Sequence, residues 1–380
     1  MSAGVYLHIP FCKSRCSYCD FATDIYRSGD VADLYVEALC SEIGSLGKAN
    51  PKSEIQNPKS IDTIYFGGGT PSLLSPDQVE RILQTVRANF DIDPNAEITM
   101  EMNPASVTPK SLSEYKKLGI NRASFGVQTF NERALKLLAR GHDANDARRT
   151  YTMLRDEGFE NISFDLIAGL PGQTLGDWQR NLDEAITMSP EHLSLYLLEI
   201  HEGTPLAEQV RTGRQPAPDE DLAAQMYTLM CDRLEAAGFE QYEISNFSKS
   251  GFESRHNIKY WLLEPVYGFG VSAHSFDGHE RYANERNTNE YVTSIESARR
   301  PEVSRQSVDL ISESIFLGLR LNRGINIDDI SARYGVSITD KYRAEIDELH
   351  ELELLEIADR RLRLTPRGRL YSNEVFQRFI

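Results

Sequence analysis

Three of the five cysteines in this 380-residue chain fall within eight residues, Cys12-Lys13-Ser14-Arg15-Cys16-Ser17-Tyr18-Cys19. Thiolates packed this closely, here as C-x-x-x-C-x-x-C, are the usual ligands of iron–sulfur clusters. Cys40 and Cys231 sit in amphipathic helical patterns, so no fourth cysteine follows nearby. Three thiolates on a four-iron cluster leave one iron without a protein ligand, and an open position is what a catalytic metal site needs. Structural zinc is usually closed by four ligands, and disulfides belong to oxidising compartments, so both fit the spacing less well. The apolar run Val5-Tyr6-Leu7-His8-Ile9 precedes the cysteines and polar residues follow, which places them on a loop at the end of a strand.

The chain begins close to that strand, with no basic region, apolar core or cleavage site of a signal peptide. Its apolar runs fall far short of the ~20 residues a membrane span needs. A reducing cytoplasm is therefore expected. The formal charge of −16 argues against broad binding to nucleic acid or to an anionic membrane. A local basic patch stands out in the last segment, Arg360-Arg361-Leu362-Arg363 and Arg367-Gly368-Arg369.

Hydrophobic periodicity predicts helices over 31–46, 110–118, 145–157 and 174–187, with another opening at Ser75-Pro76. Strands are predicted at 61–66, 97–102, 122–126, 161–167 and 192–197. A duplicated Asn-Pro-Lys-Ser at 50–53 and 57–60 reads as a surface insertion. Strand and helix alternate from Val5 to Leu197, which implies parallel strands joined by helices. Periodicity alone does not separate a barrel from a doubly wound open sheet; both build their sites at the C-terminal ends of the strands. Residues 220–237 predict a further helix, and 239–300 is rich in Tyr, Gly, His and Asn and poor in long elements. From about Ser304, helical patterns followed by a hairpin over 354–364 suggest a second, winged-helix-like unit. The expected division is 1–300 and 301–380, and the second unit reads as a lid or docking module rather than a DNA reader, given the acidic chain.

The cysteine spacing, with Tyr18 before the last cysteine, resembles the radical S-adenosylmethionine (SAM) superfamily, as does Gly67-Gly68-Gly69-Thr70-Pro71 on the following strand. The resemblance implies a partial TIM-type barrel of six strands, (β/α)6, with a 4Fe–4S cluster on Cys12, Cys16 and Cys19. It implies that the open iron chelates the methionine moiety of SAM, and that an electron from the cluster cleaves the sulfonium. Carried onto this sequence, the cofactor-binding positions are Tyr6, Tyr18, Gly68, Gly69, Thr70, Glu101, Gln128, Arg140 and Asp165. An arginine suits the SAM carboxylate because its planar fork matches it.

Dispersed phrases narrow the resemblance: Tyr6-Leu-His-Ile-Pro-Phe-Cys12, Asp165-Leu-Ile-Ala-Gly-Leu-Pro-Gly-Gln173, Glu243-Ile-Ser-Asn-Phe247, His256-Asn-Ile-Lys-Tyr-Trp261 and Gly268-Phe-Gly-Val-Ser-Ala-His274. They are similar to the branch that holds oxygen-independent coproporphyrinogen III oxidases and heme chaperones. The oxidases carry a further cysteine where this chain has Phe21, and an extension ahead of the first strand. The His256 phrase is similar to the chaperones' signature. That implies binding of heme and its delivery to membrane-bound hemoproteins of the respiratory chain, with peripheral membrane contact and no nucleic acid. A porphyrinogen oxidase is the alternative, and a radical SAM methyltransferase a third reading without an accessory motif. Histidine is the usual proximal ligand of heme iron, and His256, beside Tyr260 and Trp261, is the expected ligand, with His274 next.

Replacing Cys12, Cys16 or Cys19 with alanine is expected to abolish the cluster, while Cys40→Ala and Cys231→Ala keep it. Iron and sulfide analysis of the five reconstituted variants checks this; full cluster content in Cys16→Ala would overturn the assignment.

Overall fold

The computed structural model describes residues 2–46 and 60–380; the duplicated polar segment therefore lies, but for Ser60, outside the described residues. Six parallel strands pair in chain order: β1 (Ala3–Ile9), β2 (Ser60–Gly68), β3 (Asp91–Met102), β4 (Arg122–Gln128), β5 (Ile162–Ala168) and β6 (His192–Leu197). Consecutive order excludes the doubly wound alternative, in which the order reverses at a switch point. The connecting helices are α1 (Gly29–Leu46), α2 (Pro76–Asn89), α3 (Pro109–Leu118), α4 (Ala144–Asp156) and α5 (Leu175–Met188). Their starts are legible in the sequence: Ser75, Thr108, Asp143 and Thr174 each cap a helix through a reciprocal capping box. Gly119, in the left-handed conformation at φ 105°, ends α3.

The stretch expected to lack long elements extends the sheet at both edges. After α6 (Glu220–Ala236) come the short strands β7 (Glu240–Gln241) and β8 (Asn246–Ser248); β8 pairs antiparallel with β6, and β7 antiparallel with β8. Past α7 (Arg255–Trp261), β9 (Val266–Phe269) returns to pair parallel with β1, and β10 (His274–Phe276), β11 (Glu280–Asn284) and β12 (Glu302–Ser307) follow antiparallel. The result is one open twelve-stranded sheet. Its parallel strands are buried on both faces, which is why they read as apolar runs rather than clean alternation.

A single carboxylate ties this extension to the barrel. Glu42 on α1 is buried and accepts from Tyr291 Oη (2.6 Å), Asn284 Nδ2 (2.7 Å) and Gly270 N (2.8 Å). Burial pushes its carboxyl up to about 7 despite those three donors.

The strand that follows residue 300 still belongs to the large sheet. A second apolar cluster starts with the helix Leu310–Gly318 and includes Ile315, Leu319, Leu349, Leu362 and Phe379. There, Leu355–Ala358 and Arg361–Leu364 form the expected hairpin, and Ile325–Asn326 completes a three-stranded sheet. Among the described residues no helix is long and apolar enough to cross a membrane.

Glu42→Ala leaves Tyr291 Oη and Gly270 N buried without an acceptor, each costing ~1–3 kcal/mol, while Asn284 Nδ2 keeps the Gly270 carbonyl. Urea unfolding is expected to show a loss of several kcal/mol at pH 7.5; an unchanged midpoint would mean the clamp is dispensable.

Candidate functional site

The loop that carries the cysteines is held on both sides. Phe11–Cys12 pairs parallel with Asp24–Ile25, so Asp24 N donates to Pro10 O (2.7 Å) and Tyr26 N to Cys12 O (2.8 Å). Between them, Ser17 N donates to Leu138 O (3.0 Å) and Ser17 Oγ to Leu137 O (3.0 Å), while Leu206 N donates to Ser17 O (2.8 Å). His8 is buried beneath the loop. Its Nε2 must carry the proton, because its partner at 2.9 Å is the Ala22 carbonyl; Nδ1 then accepts from Tyr6 Oη at 3.1 Å.

The glycine run meets this loop from β2. Gly69 N donates to Ile9 O at 2.8 Å. A Cβ on Gly69 would lie 2.8 Å from the Phe11 carbonyl oxygen and from the Pro10 carbonyl. Gly68 sits at φ +111°, where a Cβ would lie 2.7 Å from the His8 ring. Glycine is required at Gly68 by the His8 ring and by the left-handed backbone.

A cavity of about 630 Å³ opens at the C-terminal ends of the strands. That is the size range of small-molecule and cofactor sites. Cys12, Cys16, Tyr18, Cys19, Gly68, Gly69, Thr70, Glu101, Gln128, Arg140 and Asp165 all line it. Residues scattered from 12 to 165 in the chain thus meet in one place because every parallel strand from β2 to β5 ends on the same rim.

The polar floor is built by register. Glu101 on β3 pairs with Ser124 on β4, Gly126 with Asp165 on β5, and Asp165 with Ser194 on β6. Glu101 accepts from Tyr65 Oη (2.8 Å) and Gly68 N (3.0 Å). Burial pushes Glu101 up to about 7 and Asp165 up to about 6, with the Ser194 hydroxyl, Arg122 and Arg140 acting against it at Asp165. A cationic ligand over this floor would favour both carboxylates in their charged form.

Arg140 spans from floor to cysteine loop. Its guanidinium donates to Gly126 O (2.7 Å) and Asn103 Oδ1 (3.3 Å) and approaches Cys16 Sγ (3.4 Å). Its Nε is buried without a partner. Cys12 Sγ lies 3.6 Å from Thr70 Oγ1. Burial raises the Cys12 thiol to about 11 and also raises Cys19. A metal centre reverses that preference, because a coordinating thiol is deprotonated outright. Three half-buried free thiols, a guanidinium near one of them and a glycine run that admits no Cβ are a donor set that fits a cluster held by three cysteines.

Tyr6 and His256 do not line the cavity. Tyr6 stacks with Tyr65, at 6.1 Å between centroids, and flanks the cysteine loop only through His8. His256, on α7, is 1% exposed and lies near Gly4 and Thr63, at the start of β1 and β2, the end of the barrel away from the cavity. Its Nδ1 is bonded to Thr63 Oγ1 (2.9 Å) and its Nε2 to Tyr260 Oη (3.1 Å). Burial lowers it to about 3. With both nitrogens engaged it has no lone pair for iron, so the expected ligand role does not fit this geometry. Tyr260 and Trp261 follow it: one bonds the imidazole, and the other lies 4.3 Å under the Arg320 guanidinium. His274 is exposed on β10, and it does not line the cavity either.

Asn103 went unread in the sequence, although it directly precedes Pro104 at the end of β3. Its Oδ1 holds both Arg140 and His142 Nδ1 (3.2 Å). Arg320 and Arg369 of the second unit line the cavity too. No periodicity could reveal that, since it depends on where that unit docks.

A family model described as Radical SAM superfamily matches residues 6–185, and one described as HemN C-terminal domain matches residues 307–371. The chain is 35% identical over 384 residues to the heme chaperone HemW of Bacillus subtilis, covering 99% of each. To HemW of Mycobacterium tuberculosis it is 36% identical, over 98% of this chain and 93% of the other. To the mitochondrial radical S-adenosyl methionine domain-containing protein 1 of Danio rerio it is 33% identical, over 97% and 84%. Among solved structures it is similar to coproporphyrinogen III oxidase (HemN) from Escherichia coli, a radical SAM enzyme, with a TM-score of 0.85 over 100% of this chain and 90% of that one. At 24% identity that likeness shows the fold.

His256→Ala is expected to cost ~2–3 kcal/mol in stability, through the cavity and the stranded hydroxyls of Thr63 and Tyr260. The absorption bands of added heme are expected to stay as in the parent. A changed axial-ligand signature in the variant would reinstate His256 as a ligand.

Proposed function

This chain belongs to the radical SAM superfamily and, within it, to the family of the heme chaperone HemW, and from that premise we propose that it is a heme chaperone built on a radical SAM barrel. In this reading Cys12, Cys16 and Cys19 hold a 4Fe–4S cluster. Arg140 takes the carboxylate of SAM, Glu101 accepts from its ribose hydroxyls, and Gln128, Asp165, Tyr18, Thr70 and the Gly68-Gly69 backbone enclose it. Tyr6 contributes only by bracing His8 under the loop. A cluster bound there would supply one-electron reduction to a SAM chelated at the iron that lacks a protein ligand. The protein's own part is to orient the ligand and exclude water. Heme is the cargo, and membrane-bound hemoproteins are the proposed recipients. We take the unit that caps the cavity, from Leu310 onward, as the docking module.

One observation carries the reading: a single cavity brings together the three cysteines, the glycine run, Glu101, Arg140 and Asp165, and extends beyond them to the second unit. Phe21, at the place where the oxidases carry a further cysteine, is 62% exposed on the cavity's rim. It offers apolar surface and no ligand.

Two assays on the reconstituted protein test the proposal. A titration followed by absorbance is expected to show stoichiometric heme binding. Incubation of the reduced protein with SAM and coproporphyrinogen III is expected to leave the propionates intact. Formation of protoporphyrinogen would make it an oxidase instead.

A further inference from the structure

The basic patch of the second unit is not uniform once its partners are placed. Arg363 pairs with Glu356 at 2.6 Å, Arg367 lies 3.8 Å from Glu353, and Arg360 is paired with Asp328. Arg361 donates to the Gly324 carbonyl. Arg369 has no carboxylate and no hydrogen-bond acceptor among the described residues, and its Nε is buried and unpartnered. It lines the cavity.

Arg369 is also held in place. It lies on the short helix Pro366–Leu370, capped by Thr365, whose Oγ1 accepts from Gly368 N at 2.9 Å. Gly368 packs so tightly against the Leu354 carbonyl that no Cβ fits there. Thr365 and Leu354 thus set the backbone from which Arg369 projects. Arg320 lines the same cavity, but its charge is answered: Glu243, fully buried, lies 3.6 Å from its Nη2. Of the two arginines that the second unit brings to the cavity, Arg369 is therefore the one that faces no carboxylate among the described residues.

The same cavity lining carries exposed apolar side chains. Tyr196 and Leu197 at the end of β6, and Leu370 beside Arg369, are all exposed and all line the cavity. An exposed apolar wall with one unmatched guanidinium suits a flat apolar ligand that carries a carboxylate, since a planar fork pairs with a carboxylate bidentately. The geometry points to a carboxylate subsite at Arg369, on the cavity lining it shares with Arg320, that anchors a propionate of the tetrapyrrole while its ring lies against the apolar lining of Tyr196, Leu197 and Leu370. The inference rests on the heme reading above and assigns the second unit a part in binding the cargo.

Ferric heme, heme dimethyl ester and SAM are titrated into the parent, Arg369→Gln and Arg369→Lys proteins, each with its cluster reconstituted. The parent is expected to bind heme about tenfold more tightly than the ester, the size of one charge-assisted contact. Arg369→Gln is expected to lose that factor for heme and keep the parent's affinity for the ester and for SAM, with Arg369→Lys in between. Equal parent affinities for heme and ester overturn the subsite without any variant having to fold. A variant that weakens SAM rather than heme also overturns it, making Arg369 a SAM ligand. Failure of the parent to bind heme at all overturns the chaperone reading and the subsite with it; heme binding that Arg369→Gln leaves unchanged overturns the subsite alone.

Discussion

Everything at this site depends on a close approach of two backbones. The end of β1 and the glycine run of β2 come near enough for Gly69 N to bond Ile9 O, with no room for a Cβ against Pro10 and Phe11. That contact sets the point at which Cys12 leaves the sheet. His8, filling the space over Gly68, carries the constraint across to Ala22 on the far side of the loop. Cys16 and Cys19 are then placed by Ser17, which is bonded to backbone on two other segments. A loop whose only regular structure is the short pairing of Phe11–Cys12 with Asp24–Ile25 is thus made definite by its supports, as a metal site requires.

The floor beneath the loop is a balance of buried charge. Glu101 and Asp165 are costly to ionise where they lie, and Arg122 and Arg140 lower that cost. Neither arginine makes an ion pair within 4 Å among the described residues. The carboxylates are instead held by hydroxyls and a backbone N–H: Glu101 by Tyr65 Oη and Gly68 N, Asp165 by Ser194. SAM carries both a sulfonium cation and a carboxylate, and a floor of acids beside Arg140 offers complementary charge to each.

The second unit is joined to the barrel through the same segment that signals the family. Glu243 begins the Glu-Ile-Ser-Asn-Phe phrase, and it bridges to Leu321, bonds Asn246 and faces Arg320. Trp261, from the His256 phrase, forms the other side of the Arg320 sandwich. Two phrases that carry the family resemblance, one of them expected to hold a heme ligand, therefore serve in part to dock the second unit. A buried carboxylate facing an arginine adds specificity of placement more than stability.

How much of this was legible beforehand divides along a physical line. Local chemistry was legible: the cysteine spacing, the capping boxes at Ser75, Thr108, Asp143 and Thr174, and the strand-end positions of Glu101 and Asp165 follow from short-range patterns. Four parallel strands ending on one rim brought those positions together as expected. The short strands between 239 and 307 escape such a reading, because segments of two to six residues are too short to show a period. His256 was misplaced for a related reason. A histidine flanked by aromatics reads alike whether it faces a ligand or a core, and only the positions of Thr63 and Tyr260, far off or four residues on, engage its two nitrogens. In the sequence Arg369 is one of a basic run, and only the partners that folding gives to Arg360, Arg361, Arg363 and Arg367 set it apart. The sequence by itself determined which groups could bind a cluster and SAM, since that chemistry is carried by residue type and local spacing. Which side chains face the cavity, and which are used up in holding the fold, was decided by tertiary structure, because a hydrogen-bond partner distant in sequence is invisible until the chain has folded.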